Sequence, residues 1–289
     1  MNRYRLFLLT LLALTAFAGN SILCRLALKE TATDPASFTA IRILSGALTL
    51  WLIVRWRDGA LPLAGSWGSA LALFAYAAAF SFSYVSLSAA TGALILFGAV
   101  QATMILHGRW RGDRLAGWQP AGFILAVAGL VGLLLPGLQA PPLQGSLLML
   151  VAGVAWGVYS LRAKGSGDPL RVTAGNFVRA TALAAGLSVA TLSSARVDAA
   201  GLACAIASGA LASGVGYAVW YTALAGLRTT SAATVQLSVP VLAAVGGIAF
   251  LDESVTLRLV LASAAVLGGI ALVVLGQGTK RTVPAVPRA

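Results

Sequence analysis

The feature that most constrains this chain is a series of long, unbroken apolar runs. They cover about 6–27, 36–54, 66–87, 90–107, 117–136, 144–162, 172–192, 199–225, 231–250 and 257–276, with most charges and Gly/Pro breaks between them. A helix of about 20 apolar residues matches the thickness of bilayer hydrocarbon, where the backbone must satisfy its own hydrogen bonds. The runs are continuous rather than alternating, which excludes a transmembrane β-barrel. Of the 289 residues, 59% are hydrophobic and 10% charged, against about 45–50% and about 25% in a soluble domain. Such a chain lacks the polar surface to cover a water-soluble globule. The expectation is an all-α integral membrane protein with ten transmembrane helices, short loops and no separate soluble domain. The run at 199–225 is long enough to imply tilt or an interfacial end.

The formal charge of +12 would suggest nucleic acid on a soluble protein. Here the cations lie mostly between runs, where they set topology rather than bind nucleic acid. With the N-terminus cytoplasmic, the inner side holds Arg3, Arg5, Arg55, Arg57, Arg109, Arg111, Arg114, Arg162, Lys164, Arg171, Arg228, Lys280, Arg281 and Arg288. The outer side holds only Arg25, Lys29, Arg196 and Arg258. That bias fixes the orientation, and ten spans return the C-terminus to the inside. Arg3, Arg5 and Ala16-Phe17-Ala18 mimic a cleavable signal peptide, but the apolar stretch continues to Cys24, so it reads as a retained first span. Cys24 and Cys204 lie inside runs, as packing residues rather than a disulfide or zinc site.

The two halves resemble each other. Ala16-Phe17-Ala18-Gly19-Asn20-Ser21 matches Ala155-Trp156-Gly157-Val158-Tyr159-Ser160, and Arg25 matches Lys164. Asp34-Pro35 with Thr39-Ala40 matches Asp168-Pro169 with Thr173-Ala174, and Arg42 falls near Arg179. Tyr84 and Leu87 match Tyr221 and Leu224, Thr91 matches Thr230, Asp113 matches Glu253, and Gly129 matches Gly269. The repeat unit has five spans, an odd number, so the second copy enters the membrane from the opposite side. Residues 1–140 and 141–289 are expected to be inverted five-helix repeats, an arrangement typical of secondary transporters with a midplane site between the halves.

Each unit has an aromatic-small pair in its first span (Phe17-Ala18, Trp156-Gly157), a basic residue closing that span (Arg25, Lys164) and an acidic residue after its fourth (Asp113, Glu253). The second adds Val239-Pro240-Val241 and Phe250-Leu251-Asp252-Glu253-Ser254. This pattern, over nearly the whole chain, resembles the drug/metabolite transporter superfamily, EamA type, and most nearly the bacterial aromatic amino acid exporters of the YddG kind. The first copy departs from it, with Gln101 where the second has Pro240 and Gly112-Asp113 where the second has Asp252-Glu253. The resemblance implies an inner-membrane exporter of amino acids, aromatic ones included, or of related hydrophobic organic solutes. A facilitative channel or uniporter is the main alternative, followed by a lipid-handling protein or membrane enzyme.

Several polar and aromatic residues stand out inside the runs. Arg42 lies about 10 Å past Pro35 and Arg179 about 15 Å past Pro169, at 1.5 Å per residue. Charge at such depth is costly, and no carboxylate lies well inside a run to pair with it. Each arginine is either an anchor for a substrate carboxylate or a structural donor. Tyr76, Phe80 and Tyr84 share one helical face, as do Tyr217, Trp220 and Tyr221, and Phe17, Trp156 and Tyr159 add further rings. Rings suit a flat or cationic solute, and equally a lipid-interface belt or helix packing. The amides Asn20, Asn176, Gln101 and Gln236 must face protein or a cavity. The backbone carbonyl of Gln236 also loses its helical donor, because Pro240 has no N–H to offer it. Gly209, Ser213 and Gly216, Gly122, Ala126 and Gly129, and Gly268 and Gly269 read as helix-packing surfaces.

No catalytic, nucleotide-binding or metal-binding motif is present, and the single His107 sits at a helix end. The chain is expected to be a non-enzymatic carrier without cofactor or metal, whose partners are a small solute and the bilayer, with no obligate protein partner.

Overall fold

The computed structural model describes residues 2–59, 64–112, 115–163, 167–227 and 229–276, with the side chains of Thr229 and Thr230 left aside. Asp113, Arg114, Lys164, Arg228, Lys280, Arg281 and Arg288, all named above, lie outside the described residues.

Among the described residues the chain is all-helical. The rods are α1 (Arg3–Glu30), α2 (Pro35–Asp58), α3 (Trp67–Tyr84), α4 (Ala89–Trp110), α5 (Gln119–Leu134), α6 (Leu143–Ala163), α7 (Pro169–Ala190), α8 (Ala199–Leu224), α9 (Thr229–Gln236 and Ser238–Leu251) and α10 (Leu257–Gly276). Each apolar run falls on one rod. Seven rods are long and apolar enough to cross a membrane: α1, α2, α4, α6, α8, α9 from Ser231 and α10. The other three of the ten expected spans fall short for local reasons. Helix α5 has 16 residues, α3 carries Tyr76, Ser81, Ser83 and Tyr84, and α7 carries Arg171, Asn176 and Arg179. Large apolar side chains such as Phe7, Leu48, Ile124, Val189 and Leu261 are exposed, as suits a surface solvated by lipid.

The helix boundaries follow from capping chemistry. Asp34 caps α2 by accepting from Ala36 and Ser37 backbone N–H at 2.9 Å, with Pro35 in the first turn. Asp168 caps α7 in the same way through Arg171 N–H at 2.8 Å, with Pro169 in the first turn. Proline there sacrifices only an N–H that has no helical partner. The break in α9 falls after Gln236, four residues before Pro240, as the missing donor requires.

Helix α8 explains its own length. Ser208–Val215 is wound as a π-helix between two α-helical stretches, so its register is not the α-helical one assumed for Gly209, Ser213 and Gly216. A Cβ on Gly209 would collide with Ser45 and the Arg42 carbonyl of α2. Helices α5 and α10 approach similarly closely. A Cβ on Gly122 would lie 2.6 Å from the Gly269 carbonyl, and one on Gly129 would lie 2.7 Å from Ala265. Gly268 corrects the packing expectation, because a Cβ there meets open space.

The helices pair in a reciprocal pattern. Helix α1 packs on α8 and α9, and α6 packs on α3 and α4; α2 packs on α7, and α5 on α10.

Candidate functional site

Rings from both halves of the chain converge on Trp156. Its centroid lies 4.8 Å from Tyr76, 5.1 Å from Tyr159 and 5.6 Å from Tyr217, the last pair stacked at 14°. Tyr217 continues the cluster to Tyr221 at 6.3 Å, Phe17 at 5.7 Å and Phe177 at 6.1 Å. Phe17 reaches Trp220 at 5.8 Å, and Tyr76 meets Phe80 at 5.4 Å. The four-residue spacings of α3 and α8 therefore turn both stripes toward the same place. Offset and edge-on pairs of this kind each contribute about 0.5–1.5 kcal/mol beyond burial.

Arg42 enters this cluster from α2. The residue is 2% exposed, and its Nη2 donates to the Tyr76 hydroxyl at 3.0 Å. Its guanidinium carbon stands 4.7 Å from the Phe80 centroid and 5.3 Å from that of Tyr76. Nη1 is buried without a hydrogen-bond partner. No ion pair among the described residues includes Arg42. The rings and one hydroxyl thus stabilise the cation, while one N–H edge remains available.

A polar chain runs outward from this point. The Tyr76 hydroxyl accepts from Asn20 Nδ2 at 3.4 Å, and Asn20 Oδ1 accepts from Ser208 Oγ at 2.6 Å. It joins α2, α3 and α1 to the first residue of the π-helical stretch in α8. In the second half, Tyr159 donates to Thr173 at 3.3 Å, and the Thr173 and Tyr221 hydroxyls share a 2.8 Å hydrogen bond.

The other candidates are placed differently. Arg179 Nη1 donates to the carbonyls of Ala64 and Gly175, each at 2.9 Å, which fastens the α2–α3 connection to α7. Asn176 accepts from Ser66 N–H at 2.9 Å and serves the same connection. Tyr84 is fully buried and donates to the Ala89 carbonyl at 3.3 Å, holding the α3–α4 turn rather than a lipid interface. Gln101 lies apart, in a small space between α4, α5 and α10. Gln236 sits at the break in α9.

Three members escaped the sequence reading: Phe177, Thr173 and Ser208. Thr173 and Phe177 stand four apart on one face of α7, and that spacing was the signal that could have found them. Ser208 carried no signal, because its placement depends on the π-helical winding.

Both ends of the bundle are tied. At one end Arg25 Nε meets Glu253 Oε1 at 3.1 Å, and Arg196 N–H donates to Asp34 at 2.8 Å. Asp198 accepts from Ala32 N–H at 2.9 Å. At the other end Arg57 pairs with Asp168 at 3.0 Å. Burial opposes ionisation of Asp34 and Asp168, but their cap hydrogen bonds, joined by the Arg196 N–H on Asp34 and the Arg57 guanidinium on Asp168, outweigh it and hold both below the usual carboxylate range. Backbone N–H groups of Ala32 and Gly201 lower Asp198 as well. A cavity of about 270 Å³ lies beside Arg25 and Glu253.

Residues 143–275 match the model of the EamA-like transporter family. The uncharacterized protein PA1977 of Pseudomonas aeruginosa is 59% identical over 270 residues, covering 93% of this chain and 94% of that protein. The second half of the chain is thus an EamA-like transporter domain, and the whole chain is of one family with PA1977. The matched stretch is α6 to α10, the second half of the chain. That domain is one of the drug/metabolite transporter superfamily, whose members carry small solutes across membranes, and with the seven long apolar rods it marks the chain as a multi-pass membrane protein. A solved crystal structure, described only as that of a protein, superposes with a TM-score of 0.67 at 19% identity. The match covers 95% of this chain and 98% of the other, and it concerns the fold.

Proposed function

We propose that this EamA-like protein exports amino acids, aromatic ones included, across the bacterial inner membrane by alternating access, in the manner of the YddG kind of exporter. All ten rods span the bilayer as two inverted repeats, residues 1–140 and 141–289, with both termini cytoplasmic. The reciprocal packing supports this reading: α1 stands to α8 and α9 as α6 stands to α3 and α4. That relation is what one five-helix unit produces when it is used twice in opposite orientations. Helices α3 and α7 are less apolar than the rest because their polar groups face protein rather than lipid.

The observation that carries the solute assignment is Arg42: a buried cation with an unpartnered Nη1, embedded in Tyr76 and Phe80 beside the Trp156–Tyr217 stack. A carboxylate completes the arginine, and an aromatic side chain takes the place of one ring in the stack. Arg179 is spent on backbone carbonyls and has the structural role. The rings are packed together, and both ends of the bundle are tied by the contacts described above.

Uptake into proteoliposomes by Trp156→Ala and Tyr217→Ala tests the reading. Losing one stack lowers L-phenylalanine transport about 2- to 12-fold relative to L-alanine, from about 0.5–1.5 kcal/mol per ring pair. An equal loss for both solutes would overturn the assignment.

A further inference from the structure

We propose a second, peripheral binding site for a zwitterionic α-amino acid in the outer cavity, where the solute exchanges into the Arg25–Glu253 ion pair. It rests on the amino-acid reading above for its choice of solute.

The two charges are nearly dry, with side-chain exposures of 12% and 9%. Each is held from behind by backbone. Arg25 Nη1 donates to the carbonyls of Tyr84 and Val85 at 2.9 and 3.0 Å, and Glu253 Oε2 accepts from Ala89 N–H at 2.8 Å. Between themselves they share the single Nε–Oε1 hydrogen bond. Parting them therefore releases neither ion from its mount and opens a gap between two fixed, opposite charges.

That gap selects its ligand by charge. An anion alone would satisfy Arg25 and strand Glu253, and a cation alone would do the reverse. An unpaired ion in so dry a place is costly. An α-amino acid brings its carboxylate to Arg25 and its ammonium to Glu253, so no charge is left over. The cavity of about 270 Å³ falls just under the usual range of about 300–1,000 Å³ for small-molecule pockets, which suits an amino acid. Its wall also bears Ser88, Thr91 and Ser254.

The linkers that bound the cavity are held in an unusual conformation. Gln139, on its wall, and Asp252, next to Glu253, are the two non-glycine residues with positive φ among the described residues, at 63° and 50°. Such residues concentrate at ligand clamps and switches. The site joins the ends of α1 and α3 in the first half to the α9–α10 linker in the second, so occupying it loosens the outer tie.

The test uses the full chain in lipid nanodiscs, carrying Ser254→Cys as a reporter and Cys204→Ala to remove the half-buried native thiol. Maleimide labelling is measured with glycine, L-alanine, L-leucine or L-phenylalanine, and with 3-phenylpropionate and phenethylamine as single-charge analogues. At ten times its Kd a zwitterion slows labelling about tenfold, since the free fraction falls as 1/(1+[L]/Kd). The analogues leave the rate unchanged. The double variant Arg25→Gln/Glu253→Gln loses the protection, while Arg25→Lys, which keeps the charge, retains it and covers the case in which the double variant does not fold. Protection by no amino acid, protection by the analogues as well, or protection that survives the double variant would overturn the site. Arg42→Gln separates the two proposals: it retains vestibular protection while transport falls. Transport without protection sinks the outer site alone, and protection without amino-acid transport sinks the transport reading alone.

Discussion

Replacing Arg42 by Gln separates a solute anchor from a structural arginine, because only the anchor makes the loss depend on the solute's carboxylate. Burying a cation near a helix centre costs about 2.5–3.5 kcal/mol. Against this stand one charge-assisted hydrogen bond to Tyr76 at 3.0 Å, at about 1.5–3 kcal/mol, and two ring contacts at 4.7 and 5.3 Å, each about 2 kcal/mol in a desolvated place. The contacts exceed the burial cost by about 2–4.5 kcal/mol, so Arg42→Gln destabilises by up to that amount. At about 2–4 °C per kcal/mol, Tm falls by up to about 18 °C. Loss of the solute's hydrogen bond to Nη1 costs about 1.5–3 kcal/mol of affinity, or about 12- to 140-fold. The assay compares L-phenylalanine with phenethylamine, which lacks the carboxylate, in proteoliposome flux, alongside thermal unfolding of the same preparation. The amino acid loses affinity by that factor and the amine does not. Equal loss for both solutes would show that Arg42 holds the fold instead.

Three further outcomes are expected. Cysteines at Ala140 and Arg196 label from outside the cell and those at Gly112 and Asp168 from inside; outside labelling at position 168 would refute the five-plus-five inverted scheme. Asp34, Asp168 and Asp198 are held below their ordinary range, so their contribution is complete above the unfolded value of about 3.9 and is lost as pH falls through the folded values. The unfolding temperature is accordingly flat from pH 8 to about pH 5 and declines below about pH 4, and a fall already at pH 6 would contradict this origin. The described carboxylates lie at helix ends or linkers, so an imposed pH gradient with clamped membrane potential and no solute gradient drives no accumulation; uphill uptake that collapses with the gradient would disprove it.

Helix positions were legible because hydropathy decides them: every apolar run coincides with a rod, and Asp34-Pro35 and Asp168-Pro169 begin α2 and α7 as capping chemistry requires. The aromatic meeting point was legible from four-residue spacing on α3 and α8. What local pattern could not supply was partner choice. Arg42 and Arg179 look alike in sequence, and only the tertiary fold shows that Arg179 is consumed by the Ala64 and Gly175 carbonyls. Tyr84 shares a helical face with Tyr76 and Phe80 but sits one turn further, where its hydroxyl reaches the α3–α4 turn. The π-helical winding of Ser208–Val215 has no residue signature, so Ser208 and its bond to Asn20 stayed hidden.

The α5–α10 crossing restricts how the halves can move. At Gly122 and Gly269 main chain rests against main chain, with no side chain between that could swap neighbours. Lengthwise sliding there would drive one backbone into the next turn of the other, whereas a change of crossing angle keeps the same atoms in touch. On the alternating-access reading proposed above, the contact acts as a fulcrum. Spin labels flanking it on α5 and α10 keep their separation through a transport cycle, while labels at the far ends of α1 and α6 change theirs, as the two arms of a balance do about a fixed point.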